Sequence, residues 1–406
     1  MKFKYISVLV ATLGLSACNG GAATNDISGT RNLQLTSDKS NHPALEYESP
    51  EHFLLGSSIN LKYGTTQAKN EAGSQSILLE IKLNNNLVQQ LSFAQIVYLA
   101  GDFMGDPETP IGSTATASEN MKNFEKNYSV MLTSPARDYL PKIIELVHQQ
   151  LLANSERISN HEPLVISDDD NIAFNAATGG GNTQLSLVTH QGLYMRLATK
   201  NSDHFGNNAS ASYLAGHKLA LELAHLAAND QELKKAYSVE AYAQHFLSDL
   251  FASGHLRVPR QQLTTWCSYS PVVVSGFLAK VMHDQDNRDG LRITNNKGES
   301  WKTYGDRSLF INDNSESIKR AIIAMQRSAD QIYAAYRNKQ LDLNAAVAVA
   351  TLELPNFAAI TRDPANKPPL FTIDRHGSIL EYSNGQYRPL WNCLSSAGWH
   401  GYYEYL

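Results

Sequence analysis

His245-Phe-Leu-Ser-Asp249-Leu-Phe-Ala-Ser-Gly-His255 carries two imidazoles and a carboxylate at a spacing that a helix turns into chemistry. The pattern is H-x3-D-x5-H. His245 and Asp249 stand four residues apart, so on a helix both project from one face and can grip one cation. At 3.6 residues per turn, the ten-residue step to His255 rotates it away from that pair. Gly254 predicts the helix end just before it. His255 is therefore placed to serve a second, adjacent metal. Imidazole and carboxylate ligands without thiolate suit zinc in a catalytic site that keeps a water. The plainer alternative is a surface helix on which two histidines and an aspartate coincide.

Helical patterns surround this stretch. Residues 91–104 read as a helix running into a Gly-Asp-Phe-Met-Gly-Asp-Pro loop, and 122–152 as helix interrupted near Pro135 and Pro141. Residues 168–182, with their run of Asp and the Gly179–Gly181 triplet, read as loop. Helices follow over 209–228, 232–252, 272–282, 316–337 and 344–352. The end of the chain differs. Alternating apolar residues over 370–391, around Asn384-Gly385, predict a hairpin. The fold expected is mainly α, a multi-helix body over 46–355 with a small C-terminal β appendage over 356–406.

Further candidate ligands sit at helix ends. Asp203-His204-Phe205 precedes the 209–228 helix, Asp102 lies in the Ala-Gly-Asp-Phe loop, and His283 leads into Asp284-Gln285-Asp286-Asn287. Each alone reads as a solvated turn. Together they offer His or carboxylate from four separate segments, which a multi-metal site requires. Arg257 and Arg260, just after His255, are candidates to hold phosphate bidentately or, equally, to cap a helix end. His217 and His225 lie eight apart on one helix face and fit structural or surface roles. His42, His148, His161, His190, His376 and His400 have no supporting pattern.

The first residues indicate export. Lys2 and Lys4 precede an apolar run over 5–15 that is too short to span a bilayer and right for a signal peptide. Leu15-Ser16-Ala17-Cys18 has the form of a lipobox, in which Cys18 is lipidated. Asn19, where Asp signals inner-membrane retention, leans towards the outer membrane, with release outside the cell as the other outcome. Residues 1–18 are thus the leader. The Gly/Ala/Thr/Asn/Ser-rich residues 19–45 form a flexible tether. A net charge of -5 argues against a general nucleic-acid binder. With Cys18 removed, Cys267 and Cys393 remain, which in an oxidising compartment suggests one disulfide, or else two free buried thiols.

This constellation resembles the zinc phospholipase C and P1-type nuclease superfamily through motifs spread over residues 50–290. That family is an all-helical metallo-phosphoesterase fold with a zinc cluster. By resemblance, one zinc takes Asp102, His204, His245 and Asp249, with Asp102 also the general base, and a second takes His255 and His283. Gly-Asp-Phe-x-Gly-Asp-Pro, Asp-His-Phe and Ser-Gly-His-Leu-Arg-x-Pro-Arg look like the phosphatidylcholine-hydrolysing phospholipases C of Gram-negative bacteria. The sequence departs from the family in three places. The family follows its next His with Glu or Asp in H-x3-E/D; here that position is Asn287, so Asp286 is the carboxylate expected to ligate. The family's third zinc uses an N-terminal Trp and a nearby His; no such Trp is present, and His52 in Ser-Pro-Glu-His-Phe is the substitute. About a hundred residues separate Asp102 from His204, so an insertion is expected to loop out between them. The resemblance implies two or three zinc ions and a phospholipid substrate at a membrane surface. A single-strand nuclease of the same fold and a non-enzymatic binding lipoprotein are the competing readings.

Overall fold

The computed structural model describes residues 49–65, 68–200, 202–266 and 271–390. The leader, the tether, Cys18, Cys267, Cys393, His42 and His400 lie outside the described residues. Within them the chain is mainly helical, with small antiparallel sheets, one of them C-terminal. No helix among the described residues is long and apolar enough to cross a membrane.

The centre is a helix over Asp230–Asp249, here α10. Asn229 caps it, its side chain accepting the Glu232 N–H at 3.0 Å. Every residue from Ala236 to Asp249 is buried. A helix apolar on one face only could not be enclosed in this way. Here Glu240, Gln244, His245, Ser248 and Asp249 all find polar or ionic neighbours inside the protein. Around α10 pack α2 (Phe93–Leu99), α9 (Gly206–Leu226) and α13 (Ser315–Arg337). Gly216 allows the α9 approach: a Cβ there would lie 2.2 Å from the Phe124 ring of α3 (Ala117–Val130) and 2.7 Å from Ala243 Cβ. His217 joins three helices, with Nδ1 2.8 Å from Glu240 Oε2 and Nε2 2.9 Å from Gln331 Oε1. Both ring nitrogens are thereby used in structure.

The segment between Asp102 and His204 does not loop out. It folds into α3, α4 (Leu140–Ala153), α5 (Ser155–Asn160), α6 (Asp168–Ala177), α7 (Ser186–Thr189) and α8 (Leu193–Lys200). Phe174 of α6 and Tyr194 of α8 pack on Phe103, beside Asp102, with ring centroids 4.8 and 5.3 Å away. The loop expected over 168–182 is therefore helical in its first ten residues. Ser167 and Asp170 form a capping box, so acidic residues that read as a turn instead start a helix.

Helix α10 ends at Asp249, before the expected boundary. A 3-10 turn over Ser253–His255 follows. Gly254 is not the helix stop. Its N–H donates to Asn287 Oδ1 at 2.6 Å, and a Cβ there would come within 2.4 Å of that oxygen. Its lack of a side chain serves close approach to α12 (Pro271–Asp289).

Strands pair as hairpins: β1 (Asn60–Tyr63) with β2 (Lys69–Ala72), β3 (Ile77–Lys82) with β4 (Val88–Ser92), and β5 (Leu291–Thr294) with β6 (Ser300–Thr303). None of these three was legible as a strand pair in the sequence. At the C-terminus β7 (Phe371–Ile373), β8 (Ile379–Ser383) and β9 (Gln386–Pro389) form a meander. Asn384 and Gly385 turn β8 into β9 with φ of 50° and 79°, the left-handed pair a two-residue hairpin needs. Phe371, Ile379 and Leu390 share an apolar cluster with Phe205, Val258, Leu263 and Met282. The sheet thus packs against the segment that carries His255 and His283.

Candidate metal centre

Eight side chains from seven places in the chain assemble beside the end of α10. His52 comes from α1 (Ser49–Ser57), all nine residues of which are buried. Asp102 lies in the turn after α2. Gly101 makes that turn at φ +70°, and a Cβ on it would sit 2.6 Å from His204 Cε1 and 2.8 Å from His245 Nε2. His204 precedes α9 and is held by its neighbour: the buried Asp203 carboxylate accepts the N–H groups of Ile111 at 2.7 Å and Gly112 at 2.8 Å. His245 and Asp249 share one face of α10. His255 ends the 3-10 turn, His283 lies on α12, and Asp306 follows β6.

Three groups of these residues bring ligand atoms within 4.8 Å of one another: His52, Asp102 and His245; His204, His245 and Asp249; and His255, His283 and Asp306. His245 belongs to two of them. Asp249 connects all three, its Oδ2 lying 2.9 Å from His204 Nδ1 and its Oδ1 lying 3.4 Å from His52 Nε2 and 3.5 Å from His255 Nδ1. His52, His204, His245, Asp249 and His255 are fully enclosed.

Hydrogen bonding fixes which nitrogens can ligate. Val97 O lies 2.9 Å from His245 Nδ1 and can only accept, so that nitrogen carries the proton and Nε2 holds the lone pair. Ser248 Oγ donates to Gln244 O and His245 O, so at 2.9 Å it accepts from His52 Nδ1. His204 O receives His255 Nδ1 at 3.1 Å in the same manner. These backbone and hydroxyl partners are the orienting contacts that metal-ligating histidines use. The remaining ring nitrogens face one another and the carboxylates. His245 Nε2 stands 3.1 Å from His204 Nδ1, 3.6 Å from Asp102 Oδ1 and 3.7 Å from Asp249 Oδ2, and His52 Nε2 lies 3.4 Å from Asp249 Oδ1. A nitrogen lone pair set against a carboxylate, as at His52, is repulsive unless a cation lies between them. The donor set, nitrogen and carboxylate oxygen without thiolate, fits zinc.

The electrostatics agree. Burial holds His52 neutral down to about pH 4, against the partial pull of Asp249. Burial, with the nearby His52 and His204, keeps His245 far below the usual imidazole value. Burial alone would raise Asp249, but the surrounding His245, His255 and His204, with the His204 ring nitrogen at hydrogen-bond distance, outweigh it and keep the carboxylate well below the usual range. In the third group burial would lower His283, yet Asp306 and Asp284 lift it to about 10. His283 Nε2 is 2.9 Å from Asp306 Oδ2 and its Nδ1 is 3.0 Å from Asp284 Oδ1. A metal held here would take the place of the proton on Nε2, and Asp284 would keep the one on Nδ1.

Two sequence expectations need correction. Asp286 is not in any of the three groups. It forms a buried, two-pronged ion pair with Arg257, whose Nε reaches Asp286 Oδ2 at 3.0 Å. One helix position further, Asn287 binds the N–H of Gly254 and packs on Gly305, where a Cβ would overlap its amide oxygen at 1.4 Å. Asn287 thereby fixes the segment whose next residue, Asp306, supplies the carboxylate. A Gly-Asp pair, repeated at Gly101-Asp102 and Gly305-Asp306, was the available signal. It is weak, because Gly105-Asp106 also shows it and Asp106 pairs with Lys126 at the surface.

The phosphate-binding reading of the arginines is the second correction, while the helix-capping alternative describes Arg260. Arg257 is committed to Asp286 and to Lys367 O at 2.8 Å. Arg260, 2% exposed, donates to the carbonyls of Ala198 and Thr199 at the end of α8. Both hold the protein together, and neither is placed to grip a phosphate at the cluster. His376 sits apart and exposed in the β7–β8 turn.

Comparison with models of protein families, with characterised proteins and with solved structures finds no match to this chain.

Proposed function

We propose that the protein is a zinc-dependent phosphodiesterase of the phospholipase C kind. It cleaves the glycerol-side phosphodiester of phospholipids such as phosphatidylcholine, giving diacylglycerol and a phosphorylated head group. The observation that carries this reading is the single cluster around Asp249, which lies within 3.5 Å of His52, His204 and His255, one histidine from each ligand group. His52, Asp102, His204, His245 and Asp249 would hold one or two ions, and His255, His283 and Asp306 another. Bound zinc lowers the pKa of a water to about 7 and neutralises phosphoryl oxygens, which is what diester hydrolysis requires. Asp102 is 5% exposed, the least enclosed carboxylate of the first two groups, and its carboxylate is the group assigned to take the proton of the attacking water. Phe205 stacks on His255 at 5.0 Å and excludes water from that side of the cluster. An exported, Cys18-anchored protein would meet its substrate at a membrane surface.

The test is elemental analysis of the zinc-replete protein, followed by release of choline phosphate from phosphatidylcholine with and without chelator. At least two zinc equivalents and chelator-sensitive release are expected. Single-stranded DNA serves as the competing substrate. Less than one bound metal per chain, or cleavage of DNA alone, would overturn the proposal.

A further inference from the structure

We infer that Glu51 is a positioning residue that builds the third ligand group by clamping the Asp306 loop, in a protein that binds metal as proposed above. Glu51 is fully buried, and its two oxygens divide between two backbone donors. Oε2 accepts the Arg307 N–H at 3.1 Å and Oε1 accepts the Leu309 N–H at 2.9 Å. These N–H groups belong to the residue after Asp306 and to the third residue after it. Arg307 adopts φ of 66°, a region L-residues rarely enter, so the turn needs external support. Two backbone N–H groups donating to the two oxygens of one buried carboxyl supply it. Asp306 is then presented to His255 Nε2 at 3.6 Å and to His283 Nε2 at 2.9 Å.

The neighbouring residue gives this arrangement its reach. His52 is the next residue on the same enclosed helix and faces Asp249, and its ring stacks on His245 at 4.2 Å. Helix α1 therefore supplies a ligand to one group with His52 and orders a ligand of another with Glu51. Asp203 and His204 repeat the device: a buried carboxylate that binds two backbone N–H groups stands directly before a ligand histidine. Neither carboxylate belongs to a ligand group.

Glu51→Gln tests the assignment, because an amide nearly matches the carboxylate in shape but turns one acceptor into a donor facing an N–H. The metal-free full chain is titrated with cobalt, followed by its visible absorption, and with zinc in competition with a chelating dye. One metal equivalent should bind about tenfold to a hundredfold more weakly in Glu51→Gln, the range for loss of an orienting contact. The other equivalents should stay within threefold. Asp306→Asn should remove the same equivalent, and adding Glu51→Gln to it should cause no further loss. Hydrogen exchange in the wild-type chain gives a readout independent of any variant's folding, with the Arg307 and Leu309 amides expected to be protected. Unchanged affinities in Glu51→Gln, a uniform loss of every equivalent, or unprotected amides would overturn the inference. A wild-type chain that takes up no metal would instead sink the underlying reading, and the two failures are told apart in the first titration.

Discussion

Asp306→Asn and Asp286→Asn should differ in metal content, and the comparison decides which carboxylate belongs to the metal centre. Asp286 and Arg257 form an ion pair whose side chains are 3% and 4% exposed. Neutralising Asp286 strands a guanidinium whose side chain is largely enclosed and whose remaining partner is Lys367 O. Breaking a buried pair from one side costs about 3–5 kcal/mol. With an m-value of about 3 kcal/mol/M, the urea midpoint should fall by about 1–1.7 M. Metal content should be unchanged, because no atom of Asp286 lies in a ligand group. Asp306→Asn should differ in the metal. It removes the carboxylate that faces both His255 and His283, so one zinc equivalent is lost, and the chelator-treated protein is destabilised as well, because Asp306 helps to hold the buried His283 protonated. Urea titration in chelator, paired with elemental analysis of the zinc-replete variants, measures both quantities. If Asp286→Asn lost zinc with its stability intact, the placement of these two residues would be refuted.

The remaining predictions concern the other groups. Metal-free protein should lose stability as pH falls from 6.5 to about 4: the unfolded chain protonates His52 over that interval and the folded chain does not, a difference of about 3 kcal/mol. His52→Gln should remove that part of the pH dependence in urea titrations, and an identical slope in wild type and variant would count against a neutral buried His52. The raised His283 has the opposite sign, so its contribution is full below pH 6.5 and fades as pH rises through about 10. Gly101→Ala should cost about 1–2 kcal/mol from the left-handed backbone alone and weaken zinc binding, since its Cβ presses on His204 and His245; wild-type zinc affinity in the variant would show that the turn has room to spare. His245→Ala and Asp249→Ala should each abolish nearly all hydrolysis with helicity retained by circular dichroism, whereas His376→Ala should match wild type.

Residue spacing along one helix was enough to join His245 to Asp249, because the helical period fixes the angle between side chains four apart whatever surrounds them. It also separated His255 into a neighbouring group, and the Asn384-Gly385 pair specified its own turn. These are local rules, and the amino acids carry them unaided. Which carboxylate completes the group of His255 and His283 is a different kind of question. Asp306 lies twenty-three residues from His283 and two hundred and fifty-four from His52. Its place depends on the β5–β6 hairpin, on Asn287 against Gly305 and on Glu51 across the fold. Periodicity is silent on such contacts. The arginines make the same point: only the packing of α8 against Arg260, and of Asp286 against Arg257, turned two candidate phosphate ligands into buried struts. Local sequence set the direction in which each side chain leaves its own backbone. Tertiary structure decided what it meets, because enclosure demands a partner for every buried charge, and the fold determines which partners lie within reach.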